Sequence, residues 1–132
     1  MQDISLKGLR VLILEDEILI ALDLEQIFRD LGVEDVIVAR NLDDVDAEAA
    51  FDVAVLDLML AGRSTVEFAS VLFAKGVPFV FATGRSDAAQ LLASLPDVPI
   101  VDKPFSNEAL VRAIAKAMTR GREGASDSAP VS

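Results

Sequence analysis

The chain has 132 residues, 52% hydrophobic and 26% charged, with no Cys, His, Trp or Tyr, which suits one compact domain around a single core. Zero cysteines exclude a disulfide framework and thiol chemistry, and zero histidines exclude Ser-His or Cys-His nucleophiles, imidazole ligands and a phosphohistidine on the chain itself. The formal net charge of −10 argues against a protein that tracks nucleic-acid phosphates, so no direct DNA binding is expected.

The charge is unevenly spread. Residues 1–62 hold 15 acids and 4 bases, a balance of −11, whereas residues 63–132 hold 7 acids and 8 bases, a balance of +1. A carboxylate-rich half suits a cation site or a basic partner, and equally serves solubility. No apolar run approaches the ~20 residues of a membrane span. Met1–Lys7 mixes acids with apolar residues and does not read as a signal peptide, so a cytoplasmic protein without a membrane anchor is expected.

The apolar runs are short, evenly spaced and rich in β-branched residues. Leu9–Leu14, Val36–Val38, Val53–Leu56, Pro78–Ala82 and Pro99–Val101 each read as strands, and their continuous hydrophobicity marks a parallel sheet buried on both faces. Between them lie segments of helical spacing. In Glu17–Leu31, the residues Ile20, Leu24, Phe28 and Leu31 form one stripe, and Gly32 stands where the helix stops. Asn41 is positioned to cap a second helix, Leu42–Ala50. Ser64-Thr-Val-Glu67 reads as a capping box opening a third, about Thr65–Lys75, that stops at Gly76. Ser86–Leu95 reads as a short, weak fourth helix. Ser106 caps the last, Ser106–Arg120, which turns Leu110, Ala113, Ile114 and Ala117 inward and Arg112, Lys116 and Arg120 to water. Five strands alternating with five helices imply right-handed crossovers and a three-layer α/β/α sandwich, a (βα)5 doubly wound sheet. Residues 1–120 form the domain, and 121–132, rich in Ser, Ala and Gly, read as a disordered tail.

In such a sheet ligands sit at the carboxyl ends of the strands. The first strand ends in Glu15-Asp16-Glu17, the third in Asp57, the fourth in Thr83-Gly84 and the fifth in Lys103-Pro104. Three carboxylates, a hydroxyl and an ammonium therefore converge on one rim. Close carboxylates raise one another's pKa unless a cation neutralises them, and Mg2+ takes carboxylates together with phosphate oxygens. Lys103 offers a positive charge for a phosphoryl oxygen, Thr83 a donor, and Asp57 a carboxylate nucleophile able to form an aspartyl phosphate. Each feature alone has a bland reading as a solvated loop residue or turn cap; the joint pattern of four strand ends in order carries the inference.

On these residues the chain resembles the receiver domains of bacterial two-component response regulators, over about residues 9–119. The matching segments are Val11-Leu-Ile-Leu-Glu-Asp-Glu17, Asp52-Val-Ala-Val-Leu-Asp-Leu58 with Gly62, Ala82-Thr-Gly84 and Val101-Asp-Lys-Pro-Phe105. The resemblance implies a flavodoxin-like sheet of order 2-1-3-4-5, with Asp57 as phosphoacceptor. It further implies that Asp16 and Asp57 ligate Mg2+ directly, Glu15 through water and Met59 through its backbone carbonyl. Thr83 and Lys103 would bind the phosphoryl oxygens, and Pro104 would fix the turn that aims Lys103. Ile100 stands where the family usually carries a switch aromatic, which excludes that rotamer switch. Pro78-Phe-Val-Phe-Ala-Thr-Gly84 resembles the FAT GUY subclass of receivers, with Arg85 in place of its Tyr. An order–disorder shift of Ser86–Leu95 would then transmit the signal. Ala61 replaces the Pro often found before Gly62, which is expected to free the loop after Asp57. Met59 and Arg85 occupy the positions that tune dephosphorylation, and a bulky Met59 is expected to lengthen the phosphoryl lifetime.

The expected protein is a stand-alone, non-enzymatic receiver. It is phosphorylated by a sensor histidine kinase or phosphotransfer protein, and it signals to a downstream protein as a monomer or weak dimer. Three alternatives stand beside it. An aspartyl-phosphate phosphatase lacks its general acid, because that position is Met59. A flavin-binding protein lacks the phosphate loop and the flanking aromatics. A phosphorylation-independent docking module stays open because the switch aromatic is missing.

Overall fold

The computed structural model of the chain describes residues 6–46, 49–84, 93 and 98–128, with side chains described through residue 119. In chain order the elements are β1 (Arg10–Leu14), α1 (Ile18–Asp30), β2 (Asp35–Ala39), β3 (Val53–Leu56), the short β4 (Met59–Leu60) and β5 (Arg63–Ser64), α2 (Val66–Ala74), β6 (Phe79–Thr83), β7 (Ile100–Asp102) and α3 (Asn107–Ser128). The five main strands form one sheet of order β2-β1-β3-β6-β7, parallel throughout. With the β4–β5 hairpin set aside, this is the expected 2-1-3-4-5 order. It requires crossovers on both faces; among the described residues α1 carries the chain from β1 to β2 on one face and α2 from the β4–β5 hairpin to β6 on the other.

The core follows from the two-residue period of the strands. Val11, Ile13, Val53, Val55, Val80, Ala82 and Val101 point to one face, where Leu24, Ile27 and Phe28 of α1 and Leu110, Ile114 and Ala117 of α3 cover them. Leu12, Leu14, Ala54, Leu56, Phe79 and Phe81 point to the other, against Ala69 and Leu72 of α2. Burial on both faces explains the uninterrupted apolar runs, and each fully buried side chain of this kind contributes about 1.5–3 kcal/mol. The β2 strand sits at the edge instead, and Asp35, Ile37 and Val38 are exposed there. Arg10 Nε meets Asp35 at 2.7 Å across that edge.

The expected α1 stripe is present, with Ala21 and Ile27 joining Leu24 and Phe28 in it. The helix ends at Gly32, whose φ of 96° is a conformation that glycine adopts without strain. The expected second helix is not formed as a helix: a single 3-10 turn, Leu42–Asp44, is capped by Asn41, whose Oδ1 accepts from Asp43 N at 3.0 Å. Val45 then returns to extended backbone. A run with Asp at 43, 44 and 46 and only Leu42 and Val45 to bury has neither the propensity nor the apolar stripe to propagate. The fourth helix, Ser86–Leu95, lies outside the described residues apart from residue 93. Ser106 caps α3 as expected, its Oγ accepting from Ala109 N at 3.0 Å. That helix continues to Ser128, past Arg120, where the tail was expected to begin. Gly121 and Gly124 lower helix propensity without removing a donor, and Pro130 is the first residue that does so. Among the described residues no helix is long and apolar enough to cross a membrane.

Candidate functional site

The carboxyl ends of β1 and β3 are neighbours, with Leu14 opposite Leu56, so the residues that follow them are brought together. Asp57 N donates to Leu14 O at 2.9 Å, and Glu15 N donates to Ala39 O at 3.1 Å. These bonds extend the sheet by one residue on each side and hold both side chains at its rim. On the far side, Lys103 N donates to Thr83 O at 2.9 Å, which carries β7 past its last ladder pair and delivers the lysine to the same rim. The Lys103–Pro104 peptide is cis.

Lys103 Nζ lies 2.7 Å from Glu15 Oε1 and 3.1 Å from Asp57 Oδ2. Glu15 is almost wholly buried, and its other oxygen accepts from Glu17 N at 3.1 Å. Asp16 points into the same rim: Glu15, Asp16 and Asp57 each present a carboxylate oxygen, all within 4.8 Å of one another. Thr83 is buried at the end of β6. Met59 begins the hairpin with 43% of its surface exposed. Ile100 is half-buried, paired with Phe81 and packed against the α2-side core. Arg85 lies outside the described residues.

One ammonium shared among three carboxylates leaves negative charge uncompensated. Burial pushes the Asp57 carboxyl above the usual carboxylate range; the Lys103 ammonium opposes this and the neighbouring Asp16 charge adds to it. Burial likewise raises Glu15, against the hydrogen bonds from Lys103 and Glu17 N and with the help of Asp57. Burial alone would lower Lys103, but Glu15 and Asp57 outweigh it and hold the ammonium above its ordinary range. A rim of carboxylate oxygens with surplus negative charge is a hard-donor set, and it fits a divalent cation such as Mg2+.

Thr65, Arg40 and Ala61, none of them expected as a site residue, also shape the site. Thr65 is fully buried. Its hydroxyl caps no helix; it donates to Asp57 O at 2.7 Å and Leu58 O at 3.2 Å, tying the peptide of the central aspartate to the start of α2. Ser64 acts locally instead, its Oγ accepting from Val66 N at 3.2 Å. Arg40 Nη2 donates to Asp16 O at 3.2 Å. Ala61 N donates to Asp16 Oδ2 at 3.1 Å. The expected freedom of the loop after Asp57 is therefore corrected: β4 and β5 pair antiparallel, Met59 with Ser64 and Leu60 with Arg63, and the turn between them is bonded to Asp16. A Thr eight residues after the central aspartate, at the start of a helix, is the signal by which Thr65 was legible.

No family model matches the chain. It is 32% identical over 120 residues to the transcriptional regulatory protein PdtaR of Mycobacterium tuberculosis, covering 86% of this chain and 58% of that protein. This chain thus spans somewhat over half the length of that relative. Among solved structures it is similar to the receiver (REC) domain of the Erythrobacter litoralis response regulator PhyR, with 28% identity and a TM-score of 0.72 over 86% of this chain and 92% of that one. It is also similar to a response regulator receiver protein from Sinorhizobium medicae, with 26% identity and a TM-score of 0.73 over 89% and 99% of the two chains.

Proposed function

Since the chain belongs to the receiver domains of response regulators, we propose that it is a phosphorelay acceptor whose Asp57 takes a phosphoryl group from a phosphohistidine of a sensor kinase or phosphotransfer protein. The observation that carries this reading is Lys103 Nζ bridging Glu15 and Asp57 at the carboxyl end of the central strand. An Asp57 carboxylate oxygen attacks phosphorus, the new O–P bond forms, the donor's P–N bond breaks, and the departing imidazole takes up a proton. The chain needs no acid or base of its own for that step, which rests on positioning and on neutralising charge. Glu15, Asp16 and Asp57 would hold Mg2+ with the Met59 carbonyl, and the ion when bound supplies charge neutralisation at the phosphoryl oxygens. Once Asp57 carries the acyl phosphate, Lys103 is released from its carboxylate and Thr83 and Lys103 are the groups that bind phosphoryl oxygens. Replacing the carboxylate by an acyl phosphate of about −2 adds about one negative charge and redirects the rim, and the signal is read through protein contact.

Intact mass after incubation with acetyl phosphate and Mg2+, beside Asp57→Asn, tests the reading. One phosphoryl adduct is expected, absent without metal and absent in the variant. No adduct, from acetyl phosphate or from a purified kinase, overturns it. A second reading, a docking module that works unphosphorylated, is favoured by Ile100. This residue packs in the core at the position of the switch aromatic, and no adduct would put that reading first.

A further inference from the structure

The turn of the β4–β5 hairpin is its most unusual backbone. Ala61 has φ 50° and Gly62 φ 82°, so both central residues lie in the left-handed region, as two-residue hairpin turns of the type I′ kind require. Gly62 adopts this without strain. Ala61 does not, because its Cβ crowds the following carbonyl, and Asn, Asp or Gly is the ordinary choice at that position. A strained residue persists where its surroundings over-determine it, and these surroundings are specific. Leu60 is fully buried in the α2-side core, anchoring the strand before the turn. Thr65, also buried, anchors the chain after it to the Asp57 carbonyl. On the outer side, Arg63 Nη1 meets Asp43 Oδ1 at 2.9 Å. The strained turn is thereby held so that Ala61 N–H meets Asp16 Oδ2 at 3.1 Å.

That amide has no other use in the hairpin. In a two-residue turn the first central N–H faces away from the ladder and has no partner within it. Here it is spent on the carboxylate of a cation-ligating residue, while Arg40 holds the Asp16 carbonyl at 3.2 Å. Asp16 is gripped at both its side chain and its backbone, and one carboxylate oxygen stays available to a cation.

We infer that the Met59–Ser64 hairpin is a built-in clamp that presets Asp16 as a cation ligand, with Ala61 as the positioning residue acting through its backbone N–H. The inference rests on the cation site proposed above. Proline at position 61 could neither adopt the positive φ nor donate, so the clamp depends on the residue that distinguishes this chain from the Pro-containing pattern. Partners of metal ligands commonly change metal affinity by 10–100-fold when removed.

Two measurements test the clamp. Amide exchange of Ala61, an exposed turn residue, is expected to be slow in the wild type and at least about tenfold faster in Asp16→Ala; equal rates overturn the clamp. By titration calorimetry, Ala61→Pro is expected to weaken Mg2+ binding by about tenfold. Ala61→Gly, which keeps the donor and accepts the φ, restores wild-type affinity. Wild-type binding with an indifferent Ala61→Pro overturns the clamp alone. No Mg2+ binding by the wild type overturns the cation site and the clamp with it. Should Ala61→Pro fail to fold, the exchange rates decide.

Discussion

Lys103 is a single cation shared by two buried carboxyls, Glu15 and Asp57, with Asp16 close behind. Both bonded carboxyls sit above their unfolded values of 4.5 and 3.8. The folded chain therefore keeps protons that the unfolded chain has already lost, and stability falls as pH rises through the folded values. This is opposite in sign to an ordinary salt-bridged carboxylate. Lys103, raised above 10.5, contributes stability that is complete below that value and lost only in strong alkali, so it does not enter the neutral range. The chain has no histidine to titrate there either. In metal-free buffer the melting temperature is expected to rise as pH falls from neutral toward the unfolded carboxyl values of 4.5 and 3.8. The profile should be flatter in Glu15→Gln/Asp57→Asn, and a double variant with the wild-type slope would refute the assignment. At pH 7 without metal, Asp57→Asn alone should melt higher than the wild type, because it removes a carboxylate whose ionised form burial disfavours. Met59 carries a different prediction. With an apolar side chain at the rim, an in-line water is hindered, so Met59→Asn should lose its phosphoryl group faster than the wild type in a mass-resolved decay.

The joint between β3 and α2 shows which elements the sequence displays and which it hides. Strands β1, β3 and β6 are legible because both of their faces are buried, so apolar residues run without interruption. The strand ends then name Glu15, Asp16, Asp57, Thr83 and Lys103 as a group. The β4–β5 hairpin is hidden because each strand has two residues and Ala61 lacks the side chain that usually announces its turn. Its bonds to Asp16 and Asp43 are 45 and 20 residues away in sequence, beyond any local pattern. The second helix fails for the reverse reason: Asn41 is a correct cap signal with too little apolar surface behind it. Thr65 was legible as a helix-start residue, but its hydroxyl serves the Asp57 carbonyl. Thr65→Val removes that donor from a buried acceptor and should cost about 1–3 kcal/mol, with slower adduct formation at saturating acetyl phosphate. Thr65→Ser, which keeps the hydroxyl, should recover the rate. If Val and Ser variants phosphorylate alike, the hydroxyl does not position Asp57.

At the scale of the molecule, three of the 15 acids of residues 1–62 are gathered into one cluster while the others lie elsewhere. Strand order places β1 beside β3, and this brings Glu15, Asp16 and Asp57 into one cluster at the middle of the sheet. The more neutral second half contributes Lys103 to it. The fold thus stabilises a repulsive cluster with core packing on both faces of the sheet, and a ligand that relieves the repulsion is coupled to global stability. A cation that binds only the folded state adds RT ln(1 + [L]/Kd), about 2.7 kcal/mol at one hundred times Kd. The melting temperature should therefore climb with the logarithm of Mg2+ concentration, well beyond the effect of NaCl at equal ionic strength, which only screens the net charge. Asp16→Ala should flatten that climb to the NaCl line. Lys103→Met should steepen the contrast: with no internal ammonium, the three carboxylates face one another unneutralised. The metal-free protein then melts lowest of the series and gains most from Mg2+. A Lys103→Met protein that gains no more than the wild type would mean that the lysine and the cation do not relieve the same repulsion.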